Sequence, residues 1–340
     1  GMIKVRGDQC WRDLTCMDYH YETQPVPSPN SYFMHHSPAV VHKLEVLSNH
    51  FAELLAPALV LVPLRMARII GGIVQIVFMT GIVISGNLSF LNHLTMLPTI
   101  CCFDDRFLSF LFSKATKDKI ALLQLQASSI KRPVGFYIRK VMDISLFALL
   151  TYLSIPVVQN LCSRRQVMNT SFDPLRIVNT YGAFGSITRE RTEVVMQGTT
   201  AHDPYDSSAQ WLEYEFKCKP GNVTRRPCYI SPYHYRLDWL MWFAAFQNYQ
   251  HNPWLVHLVA KMLNNDAFIS ELLEHNPFLD KDPPRFIRLQ HYKYEFSNMG
   301  GVDATKGRWW RRRLIGEYMP PVRKEQLEGI LNSFGWNRKV

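Results

Sequence analysis

Two long stretches of this chain are too apolar to be left in water. Ile69–Ile84 carries no charged residue and runs on through Ser85-Gly86-Asn87 into Leu88–Ile100, while Val141–Leu161 carries only Asp143, near one end. A helix that crosses a bilayer needs about 20 mostly apolar residues. So 67–97 crosses once with ease, and 141–162 forms a further crossing with Pro156 as an expected kink. Between them, 98–140 holds eight Lys and Arg (Arg106, Lys114, Lys117, Lys119, Lys131, Arg132, Arg139 and Lys140) against three Asp. Short loops rich in Lys and Arg stay on the cytoplasmic side. The helix at 141–162 then delivers 163–340 to the luminal side, and long domains translocate largely regardless of their charge.

The block ahead of these, 44–64, reads in two ways. It carries Glu45, His50 and Glu53, then is uncharged from Leu54 to Leu64, with Arg65 and Arg68 following. Carboxylates are costly in lipid unless they face a bundle interior. The block is therefore either a true span or a re-entrant or interfacial helix, and 44–97 holds one or two spans. Composition agrees with a chain that is part membrane and part globular: 47% of residues are hydrophobic and 19% charged, against roughly a quarter charged in ordinary soluble domains. A net charge of +10 can signal nucleic acid or anionic lipid. Here its concentration in the 98–140 loop makes topology the better explanation.

Residues 1–43 read as a luminal or interfacial segment, aromatic and Pro-rich over 1–40. Pro25, Pro27 and Pro29 alternate, a spacing that forbids helix and favours extended backbone. The chain opens at Ile3-Lys4-Val5-Arg6-Gly7-Asp8 on what reads as the middle of a domain, so further membrane segments are expected upstream. Of the seven cysteines, Cys218 and Cys228 flank the turn-rich Lys219-Pro220-Gly221-Asn222 and are expected to pair in an oxidising compartment. Cys10 and Cys16 are a second candidate pair, which their spacing permits without demanding. Cys101 and Cys102 read as buried free thiols. Three N-x-[ST] sequons occur, at Asn87, Asn169 and Asn222. Asn87 lies inside an apolar block and Asn169 close to the last span, which leaves Asn222 as the glycosylation candidate.

Beyond the last span the texture changes. Asn179–Thr200 alternates, with Gly182, Gly185 and Gly198 expected to break it into short strands. Trp211–Lys217 reads as a half-buried strand. Leu237–Tyr249, Trp254–Leu263 and Ala267–His275 read as helices, Phe286–Phe296 and Trp309–Tyr318 as strands, and Lys324–Phe334 as a closing amphipathic helix. The fold class is a membrane protein: an α-helical transmembrane bundle with a C-terminal mixed α+β luminal domain over 163–340.

No segment carries a recognised catalytic signature: G-x-G-x-x-G, P-loop, G-x-S-x-G and H-E-x-x-H are all missing from the sequence. His35, His36, His42 and His50 cluster with Glu45 and Glu53. A metal site needs several donors converging on one point, and hydrogen-bonded polar residues inside a helix bundle explain the cluster better, so no metal or cofactor is expected. The run Arg308-Trp309-Trp310-Arg311-Arg312-Arg313 could stack on nucleic acid. As a strand, it packs one aromatic and leaves the arginines in solvent, and no nucleic-acid partner is expected. Tyr233–Phe243 is dense in aromatics. Trp239, Trp242, Phe243 and Phe246 have helical spacing, which favours core, while Trp, Tyr and Arg are also favoured interface anchors.

Several of these stretches resemble one family. Cys10-Trp11-Arg12-Asp13-Leu14-Thr15-Cys16-Met17-Asp18-Tyr19-His20-Tyr21-Glu22-Thr23-Gln24-Pro25 looks like a signature of the lipase maturation factors. So do Leu47-Ser48-Asn49-His50-Phe51, Ser85-Gly86-Asn87-Leu88-Ser89-Phe90-Leu91-Asn92, Asn179-Thr180-Tyr181-Gly182-Ala183-Phe184-Gly185-Ser186 and Tyr233–Gln247. The likeness covers nearly the whole chain and is closer to the first of two vertebrate paralogues. It implies a multi-pass endoplasmic-reticulum membrane protein that helps secreted dimeric lipases of the lipoprotein lipase type to fold and assemble, and the family pattern establishes no catalytic residues to carry over. The expected client contacts are Trp11, Tyr19 and Tyr21 in the Cys10–Pro29 segment, and Tyr233, Tyr235, Trp239 and Trp242. A more distant similarity of Glu53-Leu54-Leu55-Ala56-Pro57 and the paired apolar blocks to vitamin K-dependent carboxylase-type membrane domains implies an alternative. On that alternative the protein is a membrane enzyme acting on a lipid or a secretory protein, with His42, Glu45, His50 and Glu53 lining its site.

Overall fold

The computed structural model describes residues 1–129 and 134–336, so Lys131 and Arg132 of the basic loop lie outside the described residues. The chain divides into two compact units, one of residues 1–14, 46–76 and 96–187, the other of 15–45, 77–95 and 188–340.

Among the described residues, three helices are long and apolar enough to cross a membrane: Ala39–Leu61, Arg65–Ser85 and Val134–Cys162. The first covers most of 44–64. Val40, Leu44, Leu47, Phe51 and Leu55 are exposed, whereas His42, Val46, Asn49, Ala52 and Ala56 are buried. An apolar stripe thus faces outward, with Lys43 and Ser48 exposed beside it, while His42 and Asn49 face protein. The helix widens to π geometry over Phe51–Leu55, where the Ala56 N–H bonds back to the Phe51 carbonyl. Pro57 follows at once and has no N–H to return to the Glu53 carbonyl, which accounts for the local rearrangement.

Two expected boundaries move. The last membrane helix begins at Val134 rather than 141 and continues through Pro156; Arg139, Lys140 and Asp143 therefore lie on the helix. The 67–97 block is not one helix. It stops at Ser85, turns through Gly86–Phe90 and resumes as Leu91–Thr99. Cys102 is buried, whereas Cys101 is exposed, contrary to its reading as a buried thiol.

Residues 1–40 are mostly helical and much of their side-chain surface is withdrawn from solvent, against the expectation of a surface segment. Helices form at Met2–Gly7, Gln9–Arg12, Met17–Thr23 and Pro29–His35. The proline spacing does keep 24–28 extended, but Pro29 starts a helix. Ser28 caps that helix in a reciprocal box with Ser31, and a proline in the first turn gives up no internal hydrogen bond.

The C-terminal part of the second unit is built on a four-stranded antiparallel sheet in the order Leu212–Glu213, Arg191–Thr199, Phe286–Phe296, Trp310–Val322. Pro320 and Pro321 are tolerated because the last strand is an edge. One face carries Val194, Met196, Ile287, Leu289 and Met319 against the helices Arg236–Ala244, Pro253–Leu263 and Lys324–Ser333. Pro253–Leu263 begins with proline at its first turn and buries Leu255, Val256, Leu258, Val259, Met262 and Leu263. The other face carries Val195, Tyr294, Phe296 and Trp310 and is covered by Tyr32 of Pro29–His35. This second cover is why Arg191–Thr199 is buried along almost its whole length. Gly198 lies inside that strand rather than breaking it: a Cβ there would meet the Phe278 ring at 2.6 Å. Trp211–Lys217 divides into two short strands, of which Glu215–Phe216 pairs with Leu273–His275. That pairing also ends the expected helix 267–275 at Leu272.

Leu255 is fully buried between sheet and helices. Leu255→Ala is expected to cost about 2–5 kcal/mol by leaving a cavity, read as a lowered urea midpoint in pulse proteolysis of the detergent-solubilised chain.

Candidate functional site

The segment 22–31 links a membrane helix to the sheet, and one strand residue organises it. Arg191 and Glu193 have fully buried side chains and lie two apart on the strand, so both point to the face that the N-terminal segment covers. Arg191 Nε and Nη2 donate to Glu193 Oε1 at 3.0 and 2.6 Å. Nη1 donates to the carbonyls of Glu22, at 2.9 Å, and Gln24, and Nη2 to that of Pro25 at 3.0 Å. All five guanidinium N–H groups are thus used. Lys219 Nζ completes the cluster at 2.8 Å from Glu193 Oε2, and the Trp310 ring lies 5.5 Å from the guanidinium carbon. The carbonyls that meet Arg191 are free because Pro25 and Pro27 keep this stretch out of a helix.

On its other side the same segment ends a membrane helix. The last carbonyls of any helix have no partner within it. Here Gln24 Nε2 donates to the Ser85 carbonyl at 3.2 Å, Ser31 Oγ donates to it at 2.7 Å, and Asn30 Nδ2 donates to the Ile84 carbonyl at 3.0 Å. Gly86 is required by this approach, since a Cβ there would fall 1.8 Å from Gln24 Oε1. Asn87 is buried. Its Nδ2 donates to the Cys228 carbonyl at 2.8 Å, and its Oδ1 accepts from Ile230 N–H at 3.0 Å and Ser231 N–H at 3.2 Å.

Cys218 and Cys228 form a disulfide with Cα atoms 5.7 Å apart, and Cys10 and Cys16 are both disulfide-bonded residues. Asp238 Oδ2 holds the start of the Cys218–Cys228 loop by accepting from the N–H groups of Cys218 and Lys219 at 2.6 and 2.8 Å; burial pushes this carboxyl up. Asn222 stands exposed on the loop, with Oδ1 accepting from Thr224 N–H at 3.0 Å and Oγ at 2.8 Å.

The expected contact residues separate. Trp11 is buried, its Nε1 donating to the Phe184 carbonyl at 3.1 Å, and Lys4 lies over its ring. Tyr21 is buried as well, and burial together with the neighbouring Glu45 carboxyl pushes its phenol up. Both are core residues, so neither offers a free contact surface. Tyr19 is half-buried under Arg189. In Arg236–Ala244 the buried side is Asp238, Met241 and Ala244, not the aromatic stripe. Trp239 and Trp242 are half-buried, Phe243 and Phe246 are exposed, and Trp242 Nε1 donates to the Thr23 carbonyl at 3.1 Å. Tyr233 is exposed and Tyr235 half-buried.

The four polar residues of the enzyme alternative each have their own partner. His42 bridges Asp18 Oδ1 at 2.6 Å and the Met34 carbonyl at 2.9 Å. Glu45 meets Tyr21, and His50 Nε2 donates to the Trp11 carbonyl at 2.8 Å. Glu53 pairs with Lys4 at 2.6 Å, where burial lowers the lysine ammonium while Glu53 opposes that shift. In the arginine run, Trp310 stacks on Phe296 at 4.1 Å, and Arg312 makes a two-pronged contact with Glu213 at 2.8 Å on each arm.

A membrane protein with an α+β domain pinned to the end of a transmembrane helix is the class these features define. Residues 1–110 match the lipase maturation factor transmembrane domain and residues 177–320 the lipase maturation factor C-terminal domain. The chain belongs to the lipase maturation factor family. It is 54% identical to lipase maturation factor 1 of Homo sapiens over 99% of this chain and 60% of that protein. Against lipase maturation factor 1 of Bos taurus the identity is 54% over 99% and 61%. Against lipase maturation factor 2 of Rattus norvegicus it is 28% over 100% and 60%. The chain thus spans about three-fifths of the length of these relatives. No solved structure matches it.

Arg191 and Glu193 were not singled out from the sequence, and Gln24 and Asn87 stood there only within family-like stretches and, for Asn87, as a sequon. One usable signal was Arg191-Thr192-Glu193, opposite charges two apart on one face of a strand that is otherwise apolar.

Glu22 titrates beside this cluster. Its Oε2 accepts from Phe296 N–H at 2.8 Å and lies 3.5 Å from His35 Nε2. Burial pushes the Glu22 carboxyl up to about 7 and the His35 ring down to about 4. A raised carboxyl binds its proton more readily folded than unfolded, so Glu22 adds stability as pH falls from about 7 toward its unfolded value. A lowered histidine does the reverse, removing stability as pH falls from the ordinary histidine range toward about 4. Glu22→Gln is expected to abolish the first effect and leave the second, so its urea midpoint should fall more steeply than the parent's between about pH 6.5 and 4.5.

Proposed function

We propose that this chain is part of an endoplasmic-reticulum membrane maturation factor that holds secreted dimeric lipases, such as lipoprotein lipase, during folding and assembly. The observation that carries the reading is the 54% identity, over 99% of this chain, to a human protein named lipase maturation factor 1. We assign the C-terminal domain to the lumen. Arg191 bonds to the carbonyls of Glu22, Gln24 and Pro25, and Gln24 to that of Ser85, which supports one membrane side for 22–31, the Ser85 helix end and the sheet. At the other end of that helix, Arg65 pairs with Asp104, Nη2 lying 3.0 Å from Oδ1, and Gly72 packs against Cys102 and Phe103. We take the basic 98–140 segment to be cytoplasmic, in agreement with its charge. An oxidising lumen suits the Cys218–Cys228 disulfide.

The client surface we favour is the outward side of Arg236–Ala244 and its continuation, where Phe243 and Phe246 are exposed beside Trp239 and Trp242. The enzyme alternative draws less support, because His42, Glu45, His50 and Glu53 are each engaged by a separate partner. Cells lacking the protein should retain lipase protein in the reticulum without activity. Restoring the full-length protein carrying Phe243→Ser and Phe246→Ser should recover much less secreted lipase activity than the parent at equal abundance; equal recovery would remove this surface from the reading. If the domain is luminal, Asn222→Gln should abolish a glycosidase-sensitive mobility shift, whereas a parent chain with no such shift would count against the luminal assignment.

A further inference from the structure

The aromatic stretch ahead of the client helix has a different neighbour. Ile84 and Ser85 end a helix that crosses the bilayer, and the next residues are stitched to 228–234. Tyr229 OH donates to Asn30 Oδ1 at 2.6 Å while Asn30 Nδ2 holds the Ile84 carbonyl. Asn87 bonds to the backbone of Cys228, Ile230 and Ser231. Ser89 Oγ lies 3.0 Å from His234 Nδ1. Side chains of this stretch therefore sit within a few residues of the point where the helix leaves the apolar core. Three of them are large, aromatic and unburied: Phe90 is 50% exposed, Tyr229 60% and Tyr233 62%.

In a soluble domain such a patch invites a protein partner. At the end of a membrane helix it meets the interfacial layer, which is about 5–8 Å deep on each side of the hydrocarbon. Tyrosine suits that layer because its ring enters the acyl boundary while its hydroxyl stays with water and headgroups. Arg226 and Arg236, both exposed, flank the stretch, and a guanidinium pairs readily with a phosphodiester. We propose that Phe90, Tyr229 and Tyr233, with Arg226 and Arg236, form a lipid-binding patch seated in the headgroup layer of the bilayer, rather than part of the client surface. The patch would hold the sheet domain against the membrane, leaving Phe243 and Phe246 for a protein. The inference rests on the membrane crossing of Arg65–Ser85 and not on the identity of the client.

The test uses the full chain in phosphatidylcholine nanodiscs, with Cys101, Cys102 and Cys162 replaced by serine. A nitroxide is attached singly through Phe90→Cys, Tyr233→Cys or, for comparison, Tyr205→Cys, an exposed position in the loop after Arg191–Thr199. Labels at 90 and 233 should show an oxygen-to-nickel-chelate collision ratio several-fold above that at 205. Ratios equal to that at 205, in protein whose Cys218–Cys228 disulfide is intact, would overturn the patch. So would labels that are aqueous in nanodiscs and become shielded only when a lipase is added, since that result assigns the patch to a protein partner. If Tyr233→Cys misfolds, Phe90→Cys decides.

Discussion

A guanidinium with no exposed surface, five satisfied donors and a carboxylate partner lies at the centre of the second unit. Arg191 organises three elements at once. Glu193 beside it neutralises its charge and brings in Lys219, which leads to the Cys218–Cys228 loop. The carbonyls of Glu22, Gln24 and Pro25 close over it, which fixes the path of the chain toward Ser31. From there Gln24, Asn30 and Ser31 terminate a membrane helix. Removing one member of such a cluster leaves uncompensated charge in an apolar setting, a loss of about 3–5 kcal/mol. The cluster's own contribution to stability is smaller, because burying three charges is itself costly. Its value is better seen as geometric: it allows only one path for a proline-rich strap.

The strap changes what the sheet is. An antiparallel sheet usually exposes one face. Here Tyr32 covers the far face from the N-terminal side, and Trp310 stacks on Phe296 beneath it. Residues 17–35 and the sheet are therefore parts of one core, although most of the membrane region lies between them in sequence. The helix from Ala39 starts within a few residues of that core, and Arg65–Ser85 ends on it. The sheet domain and the end of Arg65–Ser85 are in this way joined by the same short strap.

Much of the architecture was legible residue by residue. Two of the candidate membrane helices were visible as long, nearly uncharged runs, and the strand Phe286–Phe296 and the helix Pro253–Leu263 followed from local periodicity. The turn-rich loop with cysteines at both ends was also a local signal. The errors share one cause. Trp11 and Tyr21 looked like surface because the segment around them is polar and proline-rich; they are buried by partners far along the chain. The aromatic stripe of Arg236–Ala244 looked like core because it has helical spacing, yet Met241, Ala244 and the buried Asp238 face inward. Hydrophobicity alone does not tell which side of a helix the rest of the protein will occupy.

The sequence by itself determined that this chain carries runs apolar enough to cross a membrane, that its C-terminal half is mixed α and β, and which family it resembles. Those properties depend on composition and on patterns within some twenty neighbouring residues. Tertiary structure alone decided that Arg191 meets the carbonyls of Glu22, Gln24 and Pro25, that Gln24 and Asn87 fasten the Ser85 helix end to the sheet domain, and that His42, Glu45, His50 and Glu53 each meet a different partner. A carbonyl or a buried carboxylate takes whichever donor the fold brings to it, and contacts across such separations leave no periodicity in the chain to read.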